Sequence, residues 1–138
     1  MPDTSKPEGL GRIVAVCVGR LRGGPKRPVG QAQLAKNFGL SGDADTGPAS
    51  RQVALLDVRD APAGAVGPPW GSMGENLVLE GLPLRDYPAG TKMRIGDALL
   101  ELGGSAEGGP MVCAKVLLAG IVTEGDQASI ESLPLRLV

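Results

Sequence analysis

Gly39-Leu40-Ser41-Gly42-Asp43-Ala44-Asp45-Thr46-Gly47-Pro48-Ala49-Ser50-Arg51-Gln52-Val53 is a Gly/Asp/Pro-rich loop that delivers one arginine onto the apolar run Val53-Ala54-Leu55-Leu56. Gly and Asp adopt backbone conformations that most residues resist, so the stretch reads as a shaped loop rather than a linker. Loops fixed to a rigid strand commonly carry function. The Asp43-x-Asp45-x-Gly47 spacing matches the opening of a calcium loop, but the carboxylate required at the twelfth loop position falls on Ala54, which excludes that reading. A Mg²⁺ site on the two aspartates and a pair of turn-forming Asx residues are the remaining alternatives, with turn formation favoured.

The 138 residues suit one domain, and Gly 22 with Pro 12 predicts many tight turns between short strands. Aromatic content of 2% requires a core of Val, Leu, Ile and Ala. A formal net charge of -1 argues against bulk binding to nucleic acid. No apolar run is long enough for a transmembrane helix, and Met1 to Glu8 lacks the form of a secretion signal, so no membrane partner and a cytoplasmic location are expected. Histidine is absent, which removes Ser-His-Asp and Cys-His catalysis and His-ligated zinc. No metal site is assigned. Cys17 and Cys113 each lie inside an apolar run and are expected to be buried thiols.

Outward from the loop, residues 1–11 read as a flexible arm and 12–138 as a single domain. Arg12 to Gly19 is a β-branched strand covered on both faces. Arg20 to Pro28 is a basic loop: a solvated surface, or half of an anion site. Gln31 to Phe38 is compatible with strands or a helical turn, and Phe38 and Leu40 are expected as apolar anchors. Asp57 to Ala61 is a short helical turn. Trp70 is expected as a lid over a core edge, with ligand stacking as the alternative. Lys92 to Ile95 alternates, with Met93 and Ile95 facing in. Ala98 to Leu102 and Met111 to Leu118 are strands, separated by a flexible loop from Gly103 to Pro110. Gln127 to Glu131 alternates again. Gly90 before Gly96-Asp97 and Gly120 before Gly125-Asp126 echo each other as repeated hairpin chemistry. Short strands with closely spaced turns predict a mainly β fold, a sandwich or a closed barrel.

Three segments together resemble the MOSC domain, the C-terminal domain of molybdenum-cofactor sulfurases that also occurs alone. They are Gly39 to Asp43 with Arg51-Gln52-Val53, then Glu75-Asn76-Leu77 with Gly81, then Gly90 through Arg94-Ile95-Gly96. The resemblance covers roughly residues 12 to 131, and the tail from Ala114 to Asp126 is similar to the small stand-alone members. It implies a MOSC-like β-barrel of short strands with few short helical turns. It also implies a molybdopterin or molybdenum-cofactor ligand, or sulfur delivery in metal-sulfur and cofactor assembly. The implied partners are molybdenum-cofactor biosynthesis proteins or molybdoenzymes, together with a small anionic ligand. Larger family members join this domain to a pyridoxal-phosphate sulfurase, and a domain of that size is not expected within 138 residues. Asp45 and Ser50 stand where similar members have histidine. The Gly103 to Pro110 loop stands where the family cysteine is usual.

On that reading Arg51 would fork onto a phosphate, with Lys26 and Arg27 adding charge. Gln52 belongs to the same motif. Asn76 would offer both donor and acceptor to a pterin edge, and Glu75 would orient Arg51. Backbone N–H groups of Gly103-Gly104-Ser105 would line an anion nest. The competing structural account has Arg51, Glu75 and Asn76 satisfying one another and pinning loops to the barrel. Sulfur carriage would fall to Cys113 with Lys115 on the same strand face. The alternative to both is a non-enzymatic partner-docking module that keeps the fold without the chemistry.

Overall fold

β-branched and leucine-rich runs dictate strands, and in the computed structural model, which describes residues 9–47, 52–62, 70–105 and 109–134, seven of them close into a barrel. In chain order the strands are β1 (Leu10–Val18), β2 (Arg27–Pro28), β3 (Gln31–Ala35), β4 (Gly39–Leu40), β5 (Val53–Asp57), β6 (Leu77–Glu80), β7 (Lys92–Ile95), β8 (Ala98–Ser105), β9 (Met111–Leu118), β10 (Gly120–Thr123) and β11 (Gln127–Ser132). The barrel runs β1-β6-β5-β9-β8-β7-β11, and β11 returns to β1 through Leu10 opposite Ser129 and Arg12 opposite Gln127. Closure leaves no exposed barrel edge. The ring is antiparallel except for β5 and β6, where Leu55 lies opposite Leu77. A parallel pair needs a crossover connection, and the chain between Val58 and Asn76 supplies it.

Side-chain alternation sorts the interior. Met93 and Ile95 face in, as their spacing predicts, and Val112, Ala114 and Val116 do so from β9. With Ile13, Leu55 and Leu100 they belong to one aliphatic core, which fits the shortage of aromatics. A three-stranded sheet, β10-β3-β4, lays Leu34, Leu40 and Val122 onto the same core. Phe38 does not join them: it stays 42% exposed, so Leu40 alone is the anchor. Behind β1 a second small cluster forms from Ala15, Cys17 and Val78, with Trp70 and Val58 packed against it. Strand β1 is therefore covered on both faces, and Trp70 is the lid over that edge.

Two boundaries differ from the sequence reading. Leu10 and Gly11 are paired strand residues rather than part of an arm. Strand β8 continues through Gly103 and Gly104 to Ser105, which pairs with Val112, where a loop was expected. A register irregularity between Leu102 and Ser105 absorbs the glycines. Of the two echoing segments, β7 lies in the barrel and β10 in the small sheet, so the echo is hairpin chemistry and not duplication. The turn at Val58–Asp60 is a 3₁₀ turn capped by Asp57, which accepts the Arg59 N–H at 3.0 Å. Among the described residues no helix is long and apolar enough to cross a membrane.

Candidate functional site

The loop after β1, the loop after β4 and the loop before β6 meet at one end of the barrel. Their junction is a buried polar cluster. Lys26 Nζ lies 3.0 Å from Asp43 Oδ1 and 2.8 Å from Asp45 Oδ2. The Lys26 and Asp43 side chains are 2% and 0% exposed, whereas Asp45 is 35% exposed. Asp43 also accepts the Gly19 N–H at 2.8 Å and the Asn76 amide at 3.2 Å. The two aspartates considered for Mg²⁺ thus do share a cation, and it is the ammonium of Lys26. Among the described residues no group of three or more His, Cys, Asp or Glu side chains is arranged to hold a metal ion.

Asn76 ties three elements together. Its amide nitrogen donates to the Cys17 carbonyl at 3.1 Å as well as to Asp43, and its oxygen accepts the Ala54 N–H at 2.9 Å. Both donors and the acceptor are thereby engaged by protein, and the side chain is buried. Glu75 accepts the Gly71 N–H at 2.8 Å and the Met73 N–H at 3.0 Å, which shapes its own loop. Gln52 donates to Asn37 Oδ1 at 3.0 Å and accepts the Val116 N–H at 2.9 Å, fastening the β3–β4 turn to β9. Close backbone approach holds these loops in place. A side chain at Gly71 (φ 112) would run into the Lys26 carbonyl, and one at Gly39 (φ 129) into the Gln52 carbonyl.

Electrostatics follow from the packing. Burial disfavours the charge on Lys26, but hydrogen bonds to Asp45 and Asp43 outweigh it, and its pKa stands above the ordinary 10.5. The Lys26 hydrogen bond holds Asp45 below the ordinary aspartate range; the Gly23 N–H and the charge of Arg22 act in the same direction. In this arrangement Lys26 is therefore neutralised by the two carboxylates rather than standing as an unpaired positive charge.

Two open cavities flank the cluster. One, about 440 Å³, is lined by Arg22, Gly23, Gly24, Asp45, Met73 and Met111, with Thr46, Gly47 and Gly74 completing the wall. The other, about 610 Å³, is lined by other residues of the loop after β1, among them Arg20, Leu21 and Arg27. Both volumes fall in the range of small-molecule sites.

The expected site residues separate accordingly. Lys26 and Asn76 converge on Asp43, and Glu75 and Gln52 brace the surrounding loops, so these four build the site's frame. Arg27 is exposed at the mouth of the larger cavity. Arg51 lies outside the described residues. The backbone of Ser105 belongs to β8, so Gly103 to Ser105 form strand rather than a nest, and Gly103 backs onto the Cys113 carbonyl. Of the two cysteines expected to be buried, only Cys17 is; Cys113 is half-buried on the outward face of β9. Lys115 does share that face, but it pairs with Glu101 at 3.6 Å, which offsets its charge beside the thiol. Cys113 lines neither cavity. Sequence reasoning included Arg22 in the basic loop considered as half of an anion site without singling it out, and it passed over Met73 and Met111. The Gly23-Gly24 pair after Arg22 was the available signal for a close backbone approach.

No family model and no curated protein matches the chain. Its fold is similar to solved structures. YuaD from Bacillus subtilis superposes with a TM-score of 0.75 at 14% identity, over 91% of this chain and 97% of that one. YiiM from Geobacillus stearothermophilus gives 0.65 at 17% identity, over 88% and 75%. YiiM from Escherichia coli gives 0.61 at 21% identity, over 88% and 70%. At these identities the likeness concerns the fold.

Proposed function

We propose that this chain is a MOSC-like domain that binds a molybdopterin-type anionic ligand in the cavity lined by Arg22, Asp45, Met73 and Met111. The observation that carries the reading is the convergence on that cavity of the basic loop after β1 with two of the motif-bearing loops, the one after β4 and the one before β6. The fold shared with YiiM, a MOSC-domain protein, supports it. The wall suits a flat polar ligand with an anionic end. Gly23, Gly24, Gly47 and Gly74 let backbone approach closely, two methionines offer adaptable apolar surface, and Arg22 supplies a guanidinium. Sulfur delivery through Cys113 gains less from the geometry, because that thiol lies outside the cavity and beside a Lys115 already paired.

Calorimetric titration of the full chain with a phosphate-bearing pterin tests the proposal. Binding in the micromolar range, weakened about tenfold or more by Arg22→Ala, is the expected result. Absence of heat, with unmoved amide resonances for Gly24, Gly74 and Met111, overturns it. One observation favours a second reading, a partner-docking module. The polar side chains of the motif, Asn76 and Glu75, hold protein rather than facing solvent. Under that reading the pterin leaves every one of these resonances in place.

A further inference from the structure

The polar cluster divides into a fixed part and a displaceable part. Asp43 is enclosed, with Gly19, Lys26 and Asn76 all donating to it. Asp45 is held differently. Its two oxygens take the Lys26 ammonium at 2.8 Å and the Gly23 backbone N–H at 3.0 and 3.2 Å, and the carboxylate reaches the wall of the smaller cavity. Arg22 and Gly24 line that wall beside it. An ammonium, a backbone N–H and a neighbouring guanidinium are the donor set that recognises an oxyanion. Gly23 sits at φ 69, a backbone conformation that a side chain would resist.

We propose that Asp45 is an internal stand-in for a ligand phosphate: its carboxylate occupies an oxyanion seat formed by Lys26 Nζ and Gly23 N–H, and an incoming phosphate takes that seat when Asp45 swings out. This rests on the reading of the cavity as a ligand site and adds its regulation. Rotation of Asp45 about Cα–Cβ frees the seat without backbone movement, since Asp43 keeps Lys26 in place. The vacated ammonium regains a full anionic partner from the phosphate. Asp45 then makes the pocket self-occluded, and it rejects weak anions that cannot outcompete an intramolecular carboxylate.

Asp45→Asn is the decisive variant, because the amide keeps the size and loses the charge. Inorganic phosphate is titrated into the full chain and into the variant, and the Gly23 amide resonance is followed by ¹H–¹⁵N NMR. Phosphate is expected to bind the variant about tenfold or more tighter than the parent chain, with Gly23 among the resonances that move. Asp45→Ser gives the same readout should asparagine disturb the loop. Equal affinity for phosphate, or an immobile Gly23 resonance at saturation, overturns the proposal. The outcomes separate from those of the cavity reading. A phosphate-bearing pterin that binds the parent chain, moves Gly74 and Met111, and gains nothing from Asp45→Asn leaves the cavity reading standing and removes this one. Tight phosphate binding by the variant, with no added affinity from the pterin ring, does the reverse.

Discussion

Lys26 Nζ and Asp43 Oδ1 lie 3.0 Å apart with both side chains out of reach of solvent, so the loop after β1 and the loop after β4 are joined by a buried ion pair. Such a pair contributes little net stability against an apolar replacement, because both ions lose their hydration. Breaking it from one side is another matter. Lys26→Met leaves the Asp43 carboxylate buried with only Gly19 N–H and the Asn76 amide to stabilise it. We expect a loss of about 3–5 kcal/mol in urea unfolding. The double variant Lys26→Met with Asp43→Leu should recover a substantial part of that loss. A single variant as stable as the parent chain would show that the pair is not held as described.

Asn76 is the second fastening. Asn76→Ala deprives the Ala54 N–H and the Cys17 carbonyl of partners in a buried region and takes one donor from Asp43. An unsatisfied buried group costs about 1–3 kcal/mol. A total loss of about 3 kcal/mol or more in the urea midpoint is expected on that basis. Asn76→Asp should be worse still, since it sets a second carboxylate against Asp43.

These two fastenings also show where the sequence was readable. The alternation in Lys92 to Ile95 and the β-branched run of β1 are local signals, and both strands lie where those signals put them. A closed barrel follows from many short strands and close turns. The partners of the charged residues carry no such signal. Lys26 and Arg27 are neighbours in one basic loop, yet one is buried against two aspartates and the other is exposed, because consecutive residues of an extended segment face opposite ways. The half of an anion site considered for that basic loop therefore has Lys26 already paired, with a carboxylate 17 residues away. The glycines at 103 and 104 misled for a related reason. Glycine has low strand propensity, and here tertiary pairing with β9 overrides it.

Gly71 marks the closest approach between the site loops. Its φ of 112 lies in a region that side chains resist, and an added Cβ would meet the Lys26 carbonyl and the Arg27 nitrogen. Both obstacles are backbone, so neither moves aside easily. The Gly71 carbonyl also accepts the Lys26 N–H at 2.7 Å. Gly71→Ala should destabilise by about 2 kcal/mol or more. Gly42→Ala should be milder: Gly42 has positive φ but open space around it. Thermal melts of the two variants side by side distinguish steric overlap from backbone strain.

Acid should loosen the site before it unfolds the barrel. The Lys26 hydrogen bond lowers the Asp45 pKa below its ordinary 3.8. A carboxyl depressed on folding contributes stability that is fully present above its unfolded pKa and disappears as pH falls through the folded value. The stability difference between the parent chain and Asp45→Asn should therefore be constant from neutral pH down to about pH 4 and shrink below it. Glu131, lowered by its hydrogen bond from Arg94, adds acid sensitivity of the same sign on β11. At the alkaline end Lys26 behaves oppositely. Its raised pKa keeps its contribution intact below 10.5, and that contribution is lost as pH rises through the folded value. Urea midpoints across these ranges check both limbs.

Cys17 provides a chemical probe of the same end of the barrel. Burial is the main cause that pushes its thiol up to about 12, with the charges of Glu75 and Glu124 adding to it and Lys26 opposing. The thiolate is the reacting species. At pH 8 a thiol with that pKa is ionised in only about one molecule in ten thousand. Cys17 is also 0% exposed, so reagent must wait for the loops to open. Iodoacetamide should therefore label Cys17 in the native chain at least about a hundredfold more slowly than in urea. Because the Asn76 side chain holds the Cys17 carbonyl, Asn76→Ala should raise the native rate. Labelling read by peptide mass spectrometry, with Cys113 as the half-buried internal comparison, measures how often this end of the barrel opens. A native Cys17 rate close to the unfolded one would mean that the cluster of Lys26, Asp43 and Asn76 does not hold the loops closed.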